Sequence, residues 1–118
     1  MIIARVQIPF AKSLSKNAMW KAHGSRMRSN RSTVFAKNGV ALLVKAAMTR
    51  ELREAKAHVA IHVAKPNHRF DAANFVDVIL DAVQDATGLN DRWFSGSWDW
   101  SIDRENPTVT ITVSQEIG

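Results

Sequence analysis

"RFDAANFVDVILDAVQDATG", residues 69–88, contains the start, body and end of one predicted amphipathic helix. Asp71 stands at the start, where a carboxylate commonly accepts a hydrogen bond from the first turn. Apolar and polar residues then recur on opposite sides with helical spacing, and Gly88 follows as the expected terminating residue. We predict a helix from Asp71 to about Ala86. Its buried side comprises Phe75, Ile79, Ala82, Val83 and Ala86, and its polar side comprises Asn74, Asp77, Asp81 and Asp85.

Stretches of alternating apolar and polar residues on both sides of this helix predict β-strands. They are "IIARVQI" (2–8), "HVAIHVA" (58–64), "SWDWSID" (97–103) and "TVTITVS" (108–114). The short segment "RENP" separates the last two, which predicts a hairpin. With a second helix ahead of residue 58, the order is β-α-β-α-β-β. This order predicts one α/β domain over residues 1–118, with a small mixed sheet packed by two helices.

The region between the first strand and the first helix is polar and basic. Residues 10–32 are rich in Ser and Asn without a sustained period, so we predict one long functional loop. Ser32 or Thr33 is the predicted cap of a helix that extends to about Arg53. The apolar residues that indicate this helix are Val34, Phe35, Val40, Leu42, Leu43, Ala47 and Met48.

Charge divides the chain into two unlike halves. Residues 1–50 contain ten Lys or Arg and no Asp or Glu, whereas residues 51–118 contain six basic residues and all eleven acids. The halves carry net charges of +10 and −5, which give the +5 of the chain. A polyanion is the expected partner of the basic half, because phosphates that meet Lys or Arg release counterions. A basic surface that faces only solvent is the alternative.

Composition and spacing exclude several functional classes. The chain has no cysteine, so disulfides and thiolate metal sites are impossible. No apolar run is long enough to span a bilayer and the first residues do not resemble a signal peptide, so we expect a cytoplasmic protein without a membrane partner. His58 and His62 share a strand face but lie about 13 Å apart along it, too far to hold one ion. There is no glycine-rich phosphate loop, and we expect no small-molecule cofactor.

Aspartates are the remaining candidates for chemistry. Cleavage of a phosphodiester with Mg²⁺ needs two or three oxygen ligands that converge on the ion. Asp71, at a helix start, and Asp91, in the "GLND" turn, are best placed because neither belongs to a repeating polar stripe. Asp77, Asp81 and Asp85 form such a stripe and are predicted to face solvent. A helix cap at Asp71 and a turn former at Asp91 are the alternatives.

The segment "RFDAANFVDVILDAVQDATGLNDRW", residues 69–93, resembles the signature of RusA-type Holliday junction endodeoxyribonucleases. "IPFAKSLSKNAMW" and the basic stretch after it are similar to the opening of that family. The matching residues are Asp71, Asn74, Asp81, Ala82 and Asp91, with Phe75 and Val83 at apolar positions. The resemblance implies a small homodimeric enzyme, often phage-borne and found in the bacterial or infected-cell cytoplasm. It also implies symmetric cleavage of four-way DNA junctions with Mg²⁺, or with Mn²⁺ as a substitute.

The resemblance also implies roles for particular residues. Two of the family's three metal-binding aspartates match Asp71 and Asp91, and the third position is Ala73. Asn74 is a further candidate oxygen donor at the catalytic site. Asp77, the fourth candidate catalytic residue, stands at the position of the family's catalytic lysine. The predicted DNA-binding residues are Lys12, Lys16, Lys21, Arg26, Arg28, Arg31 and Arg69.

Chain geometry limits how Asp71 and Asp91 can meet. A helix from Asp71 to Ala86 is about 22 Å long, and five further residues span at most about 17 Å, so one chain barely returns Asp91 to Asp71. A two-fold axis could place Asp91 of one subunit beside Asp71 of another, and a shared site is therefore one hypothesis. Asp81 lies about 15 Å along the helix from Asp71, which indicates a structural or supporting role.

The four tryptophans divide into two pairs. Trp98 and Trp100 share a strand face with Ile102, which predicts the core or a dimer interface. Trp20, in the basic loop, and Trp93, after the "GLND" turn, are candidates to stack on bases opened at a junction.

Two other functions remain open. Ala73, Asp77 and Asn90 depart from the family pattern, so a junction-binding protein with weak or lost cleavage is an alternative. A basic module for single-stranded nucleic acid would explain the charge and Trp20, but it assigns Asp71 and Asp91 no role beyond capping and turning.

Overall fold

The computed structural model describes residues 1–14, 20–23, 26–29 and 31–116, with the backbone alone at 20–23, 26–29 and 31–33. Its strands are β1 (Ile2–Pro9), β2 (Trp20–His23), β3 (Arg26–Ser29), β4 (Ala57–Lys65), β5 (Phe94–Ile102) and β6 (Thr108–Gln115). Its helices are α1 (Arg31–Ala47) and α2 (Val76–Thr87). Short 3₁₀ turns cover Lys12–Leu14, Ala72–Phe75 and Asp91–Trp93. No helix within these residues is long and apolar enough to cross a membrane.

Four strands form one mixed sheet in the order β1-β6-β4-β5. β4 pairs with β5 in parallel, whereas β6 pairs with β1 and with β4 in antiparallel orientation. The chain passes from β4 to β5 through α2, because parallel neighbours need a crossover connection. The predicted single α/β domain with a small mixed sheet and two helices is confirmed.

The predicted hairpin between the last two strands is wrong, because β5 and β6 lie on opposite sides of β4. Val109, Ile111 and Val113 of β6 are almost completely buried, which suits a central strand. Residues 103–107 therefore cross the end of β4, where the Asp103 amide donates to the Lys65 carbonyl at 2.9 Å. Alternation identifies a strand and its buried face, but it does not identify the strand's neighbours.

The core lies between the helices and one face of the sheet. On β4, Val59, Ile61 and Val63 point into it as predicted. The residues of α2 and its preceding turn that are fully buried are Ala72, Phe75, Val78, Ile79, Ala82 and Val83, whereas Ala86 is half-buried. The helix ends as predicted, since Gly88 has φ 69° and its amide donates to the Gln84 carbonyl at 2.8 Å. The opposite face of the sheet carries Ser, Thr and His side chains and has no helix over it in the described residues.

α1 differs from its prediction at both ends and in its buried side. It begins at Arg31, so the predicted caps Ser32 and Thr33 lie within its first turn. It ends at Ala47 rather than near Arg53, and the extended segment that follows is held by the Thr49 amide, which donates to the Ile3 carbonyl at 2.8 Å. Val40 and Val44 enter the core, whereas Phe35 and Leu42 are 81% and 70% exposed. At 100° per residue these two pairs lie on opposite sides of the helix, so an apolar face remains outside the core.

The predicted loop over residues 10–32 contains regular structure, so this prediction is wrong in part. A 3₁₀ turn occupies Lys12–Leu14, and β2 and β3 form a separate antiparallel pair with Trp20 opposite Ser29 and His23 opposite Arg26. In the sequence only Gly24 and Ser25 separate the two strands. A two-residue connection that includes Gly is typical of a hairpin. It was not recognised because the flanking residues do not alternate between apolar and polar.

Candidate functional site

Asp71 lies after the carboxyl end of β4, where the chain turns back into α2. Its Oδ1 accepts a hydrogen bond from the Ala73 amide at 3.0 Å, so the residue caps the 3₁₀ turn. The carbonyl of Phe70, the residue before Asp71, accepts a hydrogen bond of 2.7 Å from the ammonium of Lys65. This ammonium is buried and lies 4.1 Å from the centre of the Trp100 ring. The capping role that the sequence allowed is therefore present, and Lys65 fixes the backbone beside an exposed carboxylate.

A groove of about 340 Å³, here called the acidic groove, runs along α2 beside the amino end of β5. One wall is formed by a single face of α2, with Asp77, Leu80, Asp81 and Gln84. Their i, i+3, i+4, i+7 spacing makes them neighbours on the helix surface. The other wall is formed by Asp91, Phe94, Ser95 and Gly96. Two aspartates of α2 and Asp91, which follows the helix, thus line one depression.

The acidic groove changes how the polar stripe of α2 is understood. Asp77 and Asp81 are exposed, as predicted, but they face the same groove as Asp91 rather than open solvent alone. Asp85 is different, because it lies 3.6 Å from the ammonium of Lys37 on α1. Sequence reasoning missed the grouping because the position of Asp91 against α2 depends on the pairing of β5 with β4.

Asp91 begins the 3₁₀ turn that leads into β5. The side chain of Asn90 caps this turn by accepting a hydrogen bond from the Arg92 amide at 3.1 Å. Capping is therefore done by Asn90, and the exposed Asp91 carboxylate is not needed for it. The turn-forming role that the sequence allowed for Asp91 is performed by Asn90.

The predicted metal ligands Asp71 and Asp91 lie at opposite ends of α2 in one chain. A helix of this length separates its ends by about 17 Å. Within the described ranges, no three His, Asp or Glu side chains lie close enough together to hold a metal ion. Carboxylate oxygens suit Mg²⁺ in kind, but a single chain does not bring the predicted pair together. Asn74 is half-buried next to Asp71, and its amide donates to the Asp71 carbonyl at 3.1 Å.

Two of the predicted DNA-binding residues lie beside Phe70 and Asp71, ahead of α2. The Lys12 ammonium is 5.8 Å from the centre of the Phe70 ring, and Arg69 is the neighbour of Phe70 in the chain. Both cationic side chains are exposed. Lys21, Arg26 and Arg28 lie on β2 and β3 and Arg31 begins α1, with their side chains outside the described part, and Lys16 lies outside it altogether.

The tryptophans are placed as follows. Trp98 and Trp100 are 46% and 48% exposed, so they are not core residues, and the interface alternative stands. Trp93 is half-buried with the Arg92 guanidinium 5.2 Å from its ring centre. The side chain of Trp20 lies outside the described residues.

The open face of the sheet contains a ladder of histidines that sequence spacing did not reveal. His58 Nδ1 and Nε2 lie 2.8 and 2.9 Å from the hydroxyls of Ser95 and Ser97. His62 Nδ1 lies 2.6 Å from a carboxylate oxygen of Asp99, and its Nε2 lies 3.0 Å from the Ser101 hydroxyl. Each ring bridges two residues of β5, and neither joins the other histidine, as their predicted separation required.

The second hydrogen-bonded group, Asp99–His62–Ser101, has the connectivity of a hydrolase triad. A nucleophilic serine also needs donors for the developing oxyanion. The Asp103 amide donates to β4, and by the two-residue period of a strand the Ser101 amide does the same, so it is not available for that role. Because His58 makes the same arrangement with two serines, we interpret both as structural links between β4 and β5.

Comparison with known proteins gives no assignment: no family model matches the chain, and no curated protein matches its sequence. The class of protein is defined by the fold and the groove, a single-domain mixed α/β protein with an acidic groove beside an edge strand. The resemblance to RusA-type resolvases rests on residues 69–93 and remains a prediction.

Proposed function

We propose that the protein is a Mg²⁺-dependent endodeoxyribonuclease of the RusA type, which cuts four-way DNA junctions symmetrically as a homodimer. The observation that carries the proposal is the acidic groove, where Asp77, Asp81 and Asp91 face one depression. Phosphodiester cleavage needs a concentration of oxygen ligands, and a groove open to solvent can admit a strand of DNA. The charge of the basic half supplies the attraction for the polyanion.

Each group of the chain has a defined task in this proposal. Because one chain keeps them apart, Asp71 of one subunit and Asp91 of the other would hold the ion, with Asn74 and Asp77 as further oxygen donors. Mg²⁺, when bound, neutralises charge on the phosphate and orients an attacking water. Lys12 and Arg69 would contact the phosphate next to the cut, since both are exposed at the Asp71 end. The expected products carry a 5′-phosphate and a 3′-hydroxyl, as the resemblance implies.

Cleavage of a labelled synthetic four-way junction tests the proposal. Paired symmetric nicks that require Mg²⁺ or Mn²⁺ are expected from the wild-type protein. Asp91→Asn should lower the rate by about 100-fold or more, because a carboxylate ligand is lost. Asp71→Asn should do the same while it keeps the fold, since Asn also accepts the capping hydrogen bond.

Asp85→Asn is the matched control, because Asp85 lies on the same helix but pairs with Lys37 outside the groove. Its rate should stay close to that of the wild type. Equal losses in all three variants would point to a general charge effect and not to metal ligands.

A junction-binding protein without cleavage is the second candidate. Ala73 in place of a carboxylate, together with the capping bond of Asp71, favours it. Tight binding of four-way junctions over duplex, equal with and without Mg²⁺ and without nicks, would select this function.

A further inference from the structure

β5 carries two half-exposed tryptophans on the side of the sheet that faces α2. Residues in register on parallel strands point to the same side, and Trp98 and Trp100 are in register with the core residues Ile61 and Val63. Both tryptophans nevertheless remain 46% and 48% exposed, since β5 is an outer strand of the sheet. Neighbouring large apolar side chains that stay in solvent commonly mark a binding surface.

The indole of Trp100 is held from one side. The buried Lys65 ammonium lies over this ring, 4.1 Å from its centre, and the His68 ring meets it edge-on with centroids 5.8 Å apart. Lys65 is in register with Ile102, the next residue on this side of β5, so it lies on the side of the indole away from Trp98. A cation over one face of an aromatic ring is attracted to it, which fixes the orientation of the ring. The other face of the indole is therefore directed toward Trp98.

The spacing of the two tryptophans suits a flat ligand. Residues two apart on a strand are separated by about 6.8 Å along it. Asp99, which stands between them in the sequence, points to the opposite face of the sheet, where it contacts His62 at 2.6 Å. No side chain of β5 therefore fills the space between the two indoles. Bases of one nucleic-acid strand follow each other at about 3.4 Å, so one base between rings at twice this distance would stack on both.

The charges beside the tryptophans favour a nucleotide over an apolar peptide. Arg69 is exposed and directly follows His68, whose ring contacts Trp100. The exposed Lys12 lies 5.8 Å from the ring centre of Phe70, so a second cation stands beside the same short segment. An unpaired nucleotide needs an aromatic surface for its base and a cation for its phosphate, and the protein offers both here.

We propose that Trp98 and Trp100 bind one unpaired base of DNA between their rings, with the adjoining phosphate at Arg69. The space between these two indoles is here called the tryptophan slot. The side chains of β5 on this side of the sheet offer no charged or hydrogen-bonding group apart from the indole N–H, so stacking dominates and any base is accepted. They are Phe94, Gly96, Trp98, Trp100 and Ile102.

The tryptophan slot adjoins the acidic groove. Gly96 lines that groove and precedes Trp98 by two residues, so it lies on the same side of β5, about 6.8 Å along the strand. Binding of an unpaired base requires no cleavage, but the use of the slot in a reaction rests on the proposed function. At a branch point, a base held in the slot would keep its strand unpaired beside the carboxylates.

Binding of a labelled single-stranded oligothymidylate, followed by fluorescence anisotropy, tests the slot without any need for cleavage. Trp98→Ala and Trp100→Ala should each weaken binding about 10-fold, whereas Trp98→Phe should stay within about 3-fold of the wild type, because it keeps an aromatic surface. Phe35→Ala is the matched control and should bind like the wild type, since it removes an 81% exposed aromatic side chain from α1. Unchanged affinity in both alanine variants, or no binding by the wild type, would overturn the proposal.

Two further binding measurements distinguish stacking from other causes of a loss. The slope of log K against log salt should be unchanged in Trp98→Ala, because no phosphate contact is lost, whereas Arg69→Gln should reduce it by about 1. An oligomer of abasic sugar-phosphate units should bind the wild type and Trp98→Ala equally, since it has no base to stack. A difference between the two proteins that persists on the abasic oligomer would mean that Trp98 does not contact a base, and would overturn the proposal.

Comparison with oligomeric state and with cleavage completes the test. Trp98→Ala should sediment like the wild type, and dissociation of an oligomer by this change would assign the ring to a contact between copies and overturn the proposal. If the alanine variants lose affinity for single strands and the wild type never cuts a junction, the slot stands and the nuclease is wrong. If the wild type cuts and both variants bind and cut as it does, the slot is wrong and the nuclease stands.

Discussion

Gln115 shows how one buried amide can hold a segment that has no regular structure. Its Oε1 accepts from the Arg53 amide at 3.0 Å, and its Nε2 donates to the carbonyls of Arg53 and Ala55 at 2.9 and 3.0 Å. The side chain is 3% exposed at the end of β6. Three backbone groups in the link between α1 and β4 therefore depend on this one residue.

We expect Gln115→Leu to lower the free energy of unfolding by about 2–4 kcal/mol, because it leaves buried backbone donors and acceptors without partners. Urea denaturation followed by circular dichroism measures the loss. Gln7→Leu on β1 is the control, since the Gln7 amide is exposed and, within the described part of the chain, makes only a long bond of 3.4 Å to Thr110. Its effect should stay within about 0.5 kcal/mol. Similar effects in both variants would contradict the role given to Gln115.

Residue types and local spacing predicted part of the candidate site. Asp71 was identified as a cap or a ligand, and its bond to Ala73 shows the cap. Asp91 was identified as a ligand candidate, but its place beside Asp77 and Asp81 could not be read from spacing. A helical stripe specifies which side chains point the same way, and the strand packed against that stripe decides what they face.

At the level of elements, α1 shows that a sequence can predict a helix without predicting which of its sides is buried. Apolar residues occur around much of its circumference, so the sequence predicts a helix correctly but does not show which side packs. The structure buries Val40 and Val44 and leaves Phe35 and Leu42 outside. The pairing of β5 with β4 is a second case, because alternation identified both strands while the predicted hairpin partner was wrong.

Matched truncations in α1 should reveal this asymmetry. We expect Val44→Ala to cost about 2 kcal/mol of folding free energy, because two buried methyl groups are removed and a cavity remains. Leu42→Ala should change it by no more than about 0.5 kcal/mol, since the side chain is mostly exposed. Urea denaturation at equal protein concentration compares them. A loss for Leu42→Ala as large as for Val44→Ala would mean that this face is covered in solution.

At the level of the whole molecule, the basic and acidic halves of the sequence form different elements of the fold. The basic half supplies β1, the β2–β3 pair and α1, whereas the acids are concentrated on α2 and the strands and turns that follow it. Lys12 lies close to Phe70, so a cation from the basic half is set near Asp71. Cations beside Asp71 can attract a polyanion, while the carboxylates of the acidic groove stay accessible to metal ions.

Salt dependence of junction binding tests this arrangement. Lys12→Gln and Arg69→Gln should each weaken binding and reduce the slope of log K against log salt by about 1, as expected for one lost phosphate contact. Lys56→Gln, an exposed residue ahead of β4 at the far end of the sheet, should leave the slope unchanged. Equal slopes for all variants would show that Lys12 and Arg69 do not meet phosphates.

The sequence by itself determined the fold class, the existence of α2 and its buried side, the strands of the sheet and the concentration of positive charge in the first half. These depend on spacing within a few residues, which dictates the direction of each side chain. The tertiary structure alone decided that β6 is central, that β5 is an edge, and that Asp91 lies with Asp77 and Asp81. Those outcomes depend on which strands are neighbours, and that choice is made by long-range packing of nearly equivalent apolar faces.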